Sequence, residues 1–293
     1  MNVLMLGASG QIGDFLLPKL LERGFAVSAI SRTARAPASG LRWIKQDAYA
    51  APPLLHACDA LVSAGPLDAL PALIAGLARG AGLRRVVAFG SMSAEAKKKS
   101  PCALEREQAE HLAKLEDNVF SAAAAHGVCA LILRPTLIYG CGRDLNVSRL
   151  RRLARHTRLV LLPRSAIGLR QPVHAQDLAM AALTALTTGC SGTLALAGAE
   201  ALAYDEMVAR VISTIPGWVG LVRMPDVWFR SVMRPFGALE LGQIERLGSD
   251  QCVDLAPARL ALNFSARPFA PTVQDFEPAH CLRARSGSTL QPS

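Results

Sequence analysis

The sequence predicts an α/β fold: a doubly wound parallel sheet with a smaller, mostly helical C-terminal lobe. Three observations carry this expectation. A short apolar run, Val3 to Leu6, opens into glycines spaced G-x-x-G-x-x-G (Gly7, Gly10, Gly13), and Ile12, Phe15, Leu16, Leu20 and Leu21 follow at helical spacing. Further short apolar runs alternate with helical patterns through the first half of the chain, and that alternation builds parallel strands joined by crossover helices. The length of 293 residues, 51% of them hydrophobic, suits one large domain or a domain with a lobe and a sizeable core.

The first strand and its glycine turn come first in the chain and in importance. Gly7 allows the tight turn, Gly10 the close approach of a phosphate, and Gly13 the packing of helix on strand. Backbone N–H groups and a helix N-terminus then face the same point, which is the geometry for holding a pyrophosphate. Gly7, Ala8, Ser9, Gly10, Gln11, Ile12 and Gly13 are therefore the candidate cradle of a dinucleotide.

Gly24 is placed to end the first helix, and Phe25 to Ile30 forms a second strand running into Ser31-Arg32-Thr33-Ala34-Arg35. In a nucleotide-binding sheet the residue at this strand end meets the adenosine ribose. A carboxylate there accepts from the 2′-hydroxyl of NAD, whereas a guanidinium clamps the 2′-phosphate of NADP. With Ser31 and Arg32 here and no acid, NADP is expected over NAD. Leu41 to Gln46 reads as a third strand closed by Asp47, whose carboxylate could accept from an adenine amino group. Ala60 to Ser63 is a fourth, running into Ala64 and Gly65, small enough for a cofactor to pass closely. A helix over 69–81 leads to a fifth strand from Arg85, ending in the hydroxyls of Ser91 and Ser93. Gly7, Arg32, Asp47, Ala64 and Ser91 all fall at carboxyl ends of strands, where ligands collect in such sheets.

Three later stretches sharpen the picture. These are Leu133-Arg134-Pro135-Thr136-Leu137-Ile138-Tyr139-Gly140, Arg170-Gln171-Pro172-Val173-His174-Ala175-Gln176-Asp177-Leu178-Ala179, and the strand-turn-helix pattern from Gly198 to Met207. In this order, after the glycine turn, the chain resembles the short-chain dehydrogenase/reductase superfamily in its extended branch, the nucleoside-diphosphate-sugar epimerases (NAD-dependent epimerase/dehydratase family), which share the Rossmann fold. The resemblance runs from residue 1 to about residue 210 and more loosely through Arg267-Pro268-Phe269. It implies cofactor contacts along the glycine loop, Ser31, Arg32, Asp47, Ala64, Gly65 and Pro135, and a substrate lobe in which arginines grip the diphosphate of a nucleotide sugar. Arg143 and Arg170 are the candidates for that grip. It also implies that Ser91, with Ser93 as alternate, supplies the catalytic hydroxyl.

One departure matters. The family works with a Tyr-x-x-x-Lys on the helix after the fifth strand, where lysine and cofactor ribose poise the tyrosine hydroxyl for proton exchange. Aligning Glu116 with the glutamate one turn beyond that lysine puts Leu112 at the lysine position and Gln108 at the tyrosine position. No tyrosine stands between Tyr49 and Tyr139, so a small register error does not restore the pair. The helix instead carries a dense charge run (Glu105, Arg106, Glu107, Glu110, His111, Lys114, Glu116, Asp117), which reads as a solvated face. The functional alternative is a carboxylate or His111 projecting into the cleft. Lys97-Lys98-Lys99 reads as a surface loop, able to close over phosphates.

The formal net charge of +9 concentrates between Arg143 and Arg170, where eight arginines face one acid, Asp144. That favours anionic partners, and guanidinium suits phosphate. Nucleic acid is not expected, since aromatics for base stacking are missing nearby. No apolar run approaches the ~20 residues of a membrane span, and no basic leader precedes the first strand, so a cytoplasmic protein is expected. Seven scattered cysteines without C-x-x-C read as reduced thiols, Cys129 and Cys190 as core filler, with Cys141 in its glycine-rich loop the one to watch. The six histidines (56, 111, 126, 156, 174, 280) are isolated from one another, so no metal is expected, and His174 reads as structural. Trp218 to Phe236 reads as core of the lobe or a homodimer face.

The expected organisation is a dinucleotide-binding domain over 1–145 with a returning segment near 165–197, a substrate-binding lobe from the remainder of 146–280, and a flexible tail over 281–293. The leading functional expectation is an NADP-linked epimerase, dehydratase or oxidoreductase of atypical mechanism, acting on a phosphorylated small molecule such as a nucleotide sugar. The alternative is a non-catalytic NADP-binding sensor or scaffold.

Overall fold

The computed structural model describes residues 1–47, 58–80, 82–234 and 246–278. The chain builds β1 (Asn2–Leu6), β2 (Ala26–Ser31), β3 (Leu41–Lys45), β4 (Ala60–Ser63), β5 (Arg85–Phe89) and β6 (Cys129–Pro135). It leaves the sheet through β7 (Ile138–Tyr139), β8 (Leu159–Pro163), β9 (Leu169–Arg170) and β10 (Val173–His174), and returns as β11 (Gly192–Leu196) beside β6. The order β11-β6-β5-β4-β1-β2-β3 is parallel at every pairing. It reverses between β1 and β4, so the connections after these strands diverge and open a crevice at their carboxyl ends.

The two faces of β1 explain its unbroken apolar run. Val3 and Met5 face a layer containing α1 (Gly13–Glu22), while Leu4 and Leu6 face α2 (Leu70–Gly80). Strands buried on both sides need apolar residues at every position. A short α3 (Ser93–Ala96) follows β5 and lies against α4 (Ala103–Ala125), which joins α2 on the second face. Beyond α5 (Val147–Thr157), α6 (Ala175–Ala185) packs beside α1 on the first. The predicted fold class is thus the observed one, and Gly24 takes the left-handed backbone expected just past α1 (φ 73°).

The remaining elements gather around separate apolar clusters. β12 (Leu202–Ala203) pairs antiparallel with β9 and leads into α7 (Tyr204–Ile212). β13 (Gly220–Met224) pairs with β8, and α8 (Asp226–Met233) follows. Tyr139, Met207, Val211 and Phe269 form one cluster, and Val160, Leu162, Val208 and Ile215 another. α9 (Ala256–Leu262) returns to the sheet against β11.

Two sequence expectations are corrected here. The stretch over 218–234 is mostly not core, which leaves only the dimer-face alternative: Phe229 is buried, but Trp218 (79% exposed), Val227 and Trp228 face outward. The charge run on α4 is not wholly solvated either, since Glu105 and Glu116 are buried. The expected tail, Phe236, His56, His280 and Cys281 lie outside the described residues. Among the described residues no helix is long and apolar enough to cross a membrane, and no group of His, Cys, Asp and Glu could hold a metal ion.

Candidate functional site

The glycine turn between β1 and α1 is set by backbone contacts. Gly7 has φ 72°, and a Cβ there would lie 2.7 Å from the Ala64 carbonyl, so β1 and β4 meet at its hydrogen. A Cβ on Gly13 would lie 2.2 Å from the Gly7 oxygen, so the start of α1 also needs a glycine. Gly10 is different. Its backbone is outside the left-handed region, and a Cβ would meet only its own turn, at 3.1 Å from the Gly7 oxygen. The packing demands Gly7 and Gly13 but leaves Gly10 open on its outer side, as a phosphate cradle requires. Among the described residues, the N–H groups of Gln11 and Ile12 donate to no protein acceptor. The turn is tied down from outside: the Gln11 side chain donates to the Gly140 carbonyl (2.8 Å), and Arg143 donates to the Ser9 carbonyl (2.5 Å) while pairing with Asp14 (3.2 Å). Ala8 and Ile12 are buried beneath it.

Ser31 ends β2, buried, its Oγ accepting from the Thr33 N–H. Arg32 is exposed beside it, and Arg35 stacks on Trp43 (5.0 Å). No acidic residue stands at this strand end. Asp47 is exposed just beyond β3, and Ala64 and Gly65 lie against Gly7 past β4. All of these candidates fall at the carboxyl edge of the sheet.

A cleft of about 960 Å³ adjoins the turn, lined by Gln11 on one side, by Ser91, Ser93 and Lys97 after β5, and by Pro135 and Thr136 at the end of β6. Arg143 and Arg170 line it too, with Arg246, Asp250 and Cys252 opposite. The far wall is pinned in place. Arg170, 5% exposed, donates to the carbonyls of Leu169, Ser249 and Arg246 and stacks over Tyr204. Asp250 accepts from the Leu169 N–H (2.8 Å), and Gln171 accepts from the Val253 N–H (2.7 Å). Arg170 therefore borders the cleft with Nη1 and Nη2 held by three backbone carbonyls, whereas Arg143 sits where the cleft meets the glycine turn.

The segment between β5 and α4 forms another side of the cleft. Ser91 Oγ accepts from the Ser93 N–H (3.1 Å), closing a tight turn at the cleft floor. Lys97 Nζ reaches the side-chain oxygen of Gln108 (2.8 Å), the residue counted to the tyrosine position. Burial, and next the charge of Arg246, hold the Lys97 ammonium below its ordinary value. Neither Gln108 nor Leu112 is among the lining residues, and His111 is exposed on α4 away from the cleft. The two buried carboxylates of α4 are structural. Glu116 forms a bidentate pair with Arg134, whose guanidinium it holds above the usual range ahead of Glu95, and Glu105 holds Arg246 (2.5 Å) and the Ser100 hydroxyl (2.6 Å).

Sequence reasoning missed Lys97 as a cleft residue and missed Arg246 altogether. The lysine run offered a signal, read as surface; nothing in local sequence brings residue 246 to this wall. His174 is structural, as expected. Its Nδ1 accepts from the Gln176 N–H (3.1 Å), capping α6, which leaves Nε2 to donate to Asp275 (3.2 Å). Cys141 is buried with φ 68°, its thiol donating to Asp14 (3.2 Å) beside the glycine turn.

No protein-family model matches the sequence, and no curated protein matches it. Solved structures do. The chain is similar to MoeE5 in complex with UDP-glucuronic acid and NAD, at TM-score 0.73 and 19% identity over 97% of this chain and 100% of that one. It is similar to UDP-N-acetylglucosamine 4-epimerase from Bacillus cereus at TM-score 0.70 and 16% identity, over 100% of this chain and 98% of that one. UDP-N-acetylglucosamine 4-epimerase from Methanobrevibacter ruminantium M1, in complex with UDP-N-acetylmuramic acid, gives TM-score 0.73 and 14% identity over 97% and 98%. At these identities the likeness is one of fold, and over nearly its whole length this chain has the Rossmann fold of the nucleotide-sugar epimerases its motifs resemble.

Proposed function

We propose that the chain binds a nicotinamide dinucleotide along the carboxyl ends of β1, β2 and β4, and that the adjoining cleft takes a nucleotide sugar or related phosphorylated metabolite. The observation that carries the reading is Gly10: a glycine whose added Cβ would crowd only the Gly7 carbonyl of its own turn and is otherwise open, beside unengaged N–H groups at a helix N-terminus. Gly7 to Gly13 would hold the pyrophosphate, Ala64 and Gly65 would let the cofactor pass, and Asp47 would accept from the adenine. NADP is the favoured form, because Arg32 stands at the end of β2 and no carboxylate does. Two of the fold neighbours named above carry UDP-sugars, one of them with NAD as well, which supports the class of both ligands.

The reading extends to an enzyme of epimerase, dehydratase or reductase type. The cofactor supplies the hydride chemistry when bound. The chain supplies Arg143 for phosphate, the Ser91 hydroxyl at the floor, and Lys97 Nζ as the proton-exchanging group, its value lowered toward the working range by burial. Saturating NADP(H) or NAD(H) with a panel of nucleotide sugars carrying a ring deuterium is the test. Label transfer that disappears in Lys97→Met, with nucleotide affinity unchanged, is expected. Neither turnover nor label exchange with any sugar would sink the enzymatic reading.

A second reading, a non-catalytic NADP-responsive sensor or scaffold, is favoured by Gln108 and Leu112 at the positions of the usual pair. Tight binding of NADP+ and NADPH with different conformational responses, and no chemistry, is its signature.

A further inference from the structure

Away from the cleft, at the amino ends of three neighbouring strands, lies a row of side chains that the nucleotide reading does not use. Arg85 opens β5 and Cys129 opens β6, directly paired in the sheet. The β6–β11 ladder begins at Leu131 and Gly192, and Cys190 lies just before it, its carbonyl oxygen 3.8 Å from Cys129 Sγ. The three gather on the α6 side of the sheet: Arg85 reaches both Ala185 of α6 and Cys129, and Cys190 packs against that same apolar layer.

Arg85 is 7% exposed and has no carboxylate partner among the described residues. Its Nε donates to the Ala185 carbonyl at the end of α6 (3.0 Å), its Nη1 donates to Cys129 Sγ (2.9 Å), and its Nη2 has no hydrogen-bond partner. A guanidinium stays charged at all working pH, and a buried charge is costly unless paired. Here its side-chain partner is a sulfur, which can carry a negative charge. The Cys129 sulfur also lies 3.8 Å from the Cys190 carbonyl oxygen and 3.9 Å from that of Gly189. Cys190 Sγ donates to the Ala261 carbonyl of α9 (3.2 Å). Both thiols are free, and both are half-buried rather than the core filler the sequence led us to expect, so small oxidants reach them.

We propose that Cys129 and Cys190 form a peroxide-sensitive dithiol, in which Cys129 is the attacking sulfur and Arg85 steadies its charge. The Cys129 thiolate attacks one oxygen of a hydroperoxide, the O–O bond breaks, and a sulfenic acid forms as water or alcohol leaves with the thiol proton. Cys190 turns from Ala261 and its sulfur attacks Cys129 Sγ; the S–O bond breaks and water leaves, carrying the Cys190 proton. Two thiols are oxidised to one disulfide as the peroxide is reduced. The Cys129 sulfur already lies 3.8 Å from the Cys190 backbone, so turning the Cys190 side chain is the movement the bond requires. The product cross-links β6 to β11 and removes the thiol contact that holds α9.

The test is to expose the full, reduced chain to limiting hydrogen peroxide, alkylate, and map peptides without reduction. The expected result is a Cys129–Cys190 linked peptide appearing before Cys252, which is more exposed, is modified. In Cys190→Ser, Cys129 accumulates sulfenic acid trapped by dimedone. Arg85→Gln slows Cys129 oxidation by roughly tenfold or more, checked on protein whose circular dichroism is unchanged. Should Arg85→Gln not fold, the Cys190→Ser trapping still decides. Oxidation of Cys252 or Cys102 ahead of Cys129, or no sulfenic acid at Cys129 in Cys190→Ser, would overturn the proposal.

Discussion

The turn after β1 and the segment after β5 end strands of the same sheet and border the same cleft, but different forces shape them. The first is built from backbone meeting backbone: Gly7 against Ala64, Gly13 against Gly7, with no room for a Cβ at either place. The second is built from side chains: a serine turn, Lys97 on Gln108, and α4 held by Glu116–Arg134 and Glu105–Arg246. A backbone turn of this kind tolerates almost no substitution, so it keeps the glycine pattern of the family it resembles. A side-chain constellation can be rebuilt one residue at a time on an unchanged frame. The comparison teaches that likeness in the first region says nothing about the chemistry of the second.

The largest effect is expected from Gly13→Val. Its side chain would have to displace the Gly7 carbonyl, costing about 4 kcal/mol or more and abolishing nucleotide binding together with stability. Equilibrium urea unfolding reads it, and a variant within 1 kcal/mol of wild type on that scale (about the size of an ordinary point change) would refute the backbone account. Glu116→Gln comes next. It removes the buried one of Arg134's two carboxylate partners, leaving only the more exposed Glu95, and is expected to cost about 3 kcal/mol, with the nucleotide affinity of the folded fraction retained. Loss of affinity in that variant at full stability would mean the two regions are not separable.

A smaller effect comes from the support behind the glycine turn. Gln11 bonds the Gly140 carbonyl, and Gly140 packs on His174, which donates to Asp275. Burial works to raise the Asp275 carboxyl, but hydrogen bonds from His174 and from the Thr272 N–H and hydroxyl bring it below its ordinary value. A carboxylate depressed in the folded state adds stability above its unfolded value near pH 4, and that stability fades as pH falls through the lower folded value. Asp275→Asn is therefore expected to lose about 1 kcal/mol near neutrality and to show a flatter decline below about pH 4. Parallel acid limbs for variant and wild type would contradict this.

The sheet was legible in the sequence because its signals are local. Apolar runs named the strands, with β4 matching at both ends, and glycine spacing named the turn. The fold class followed from the order of the elements alone. What was not legible depends on partners distant in sequence. Glu105 and Glu116 look solvated until Arg246 and Arg134 meet them. Lys97 looks like a surface lysine until the wall at 246–253 folds over the cleft. Trp218 and Trp228 look like core because apolar composition carries no record of which face a strand or helix leaves uncovered. Arg170 is a phosphate-ligand candidate by resemblance, and only the fold shows that its Nη1 and Nη2 also hold three carbonyls of the cleft wall.

The central claim is that Gly10 is kept open for a phosphate and not for packing. Calorimetric titration of NADP+ and NAD+ into the wild-type chain and into Gly10→Ala tests it most directly, with urea unfolding run alongside. The predicted result is saturable binding to wild type, tighter for NADP+, weakened about tenfold or more in a variant whose stability changes by less than about 1 kcal/mol. Equal affinity in the two proteins, or no binding of either nucleotide to wild type, would contradict the account.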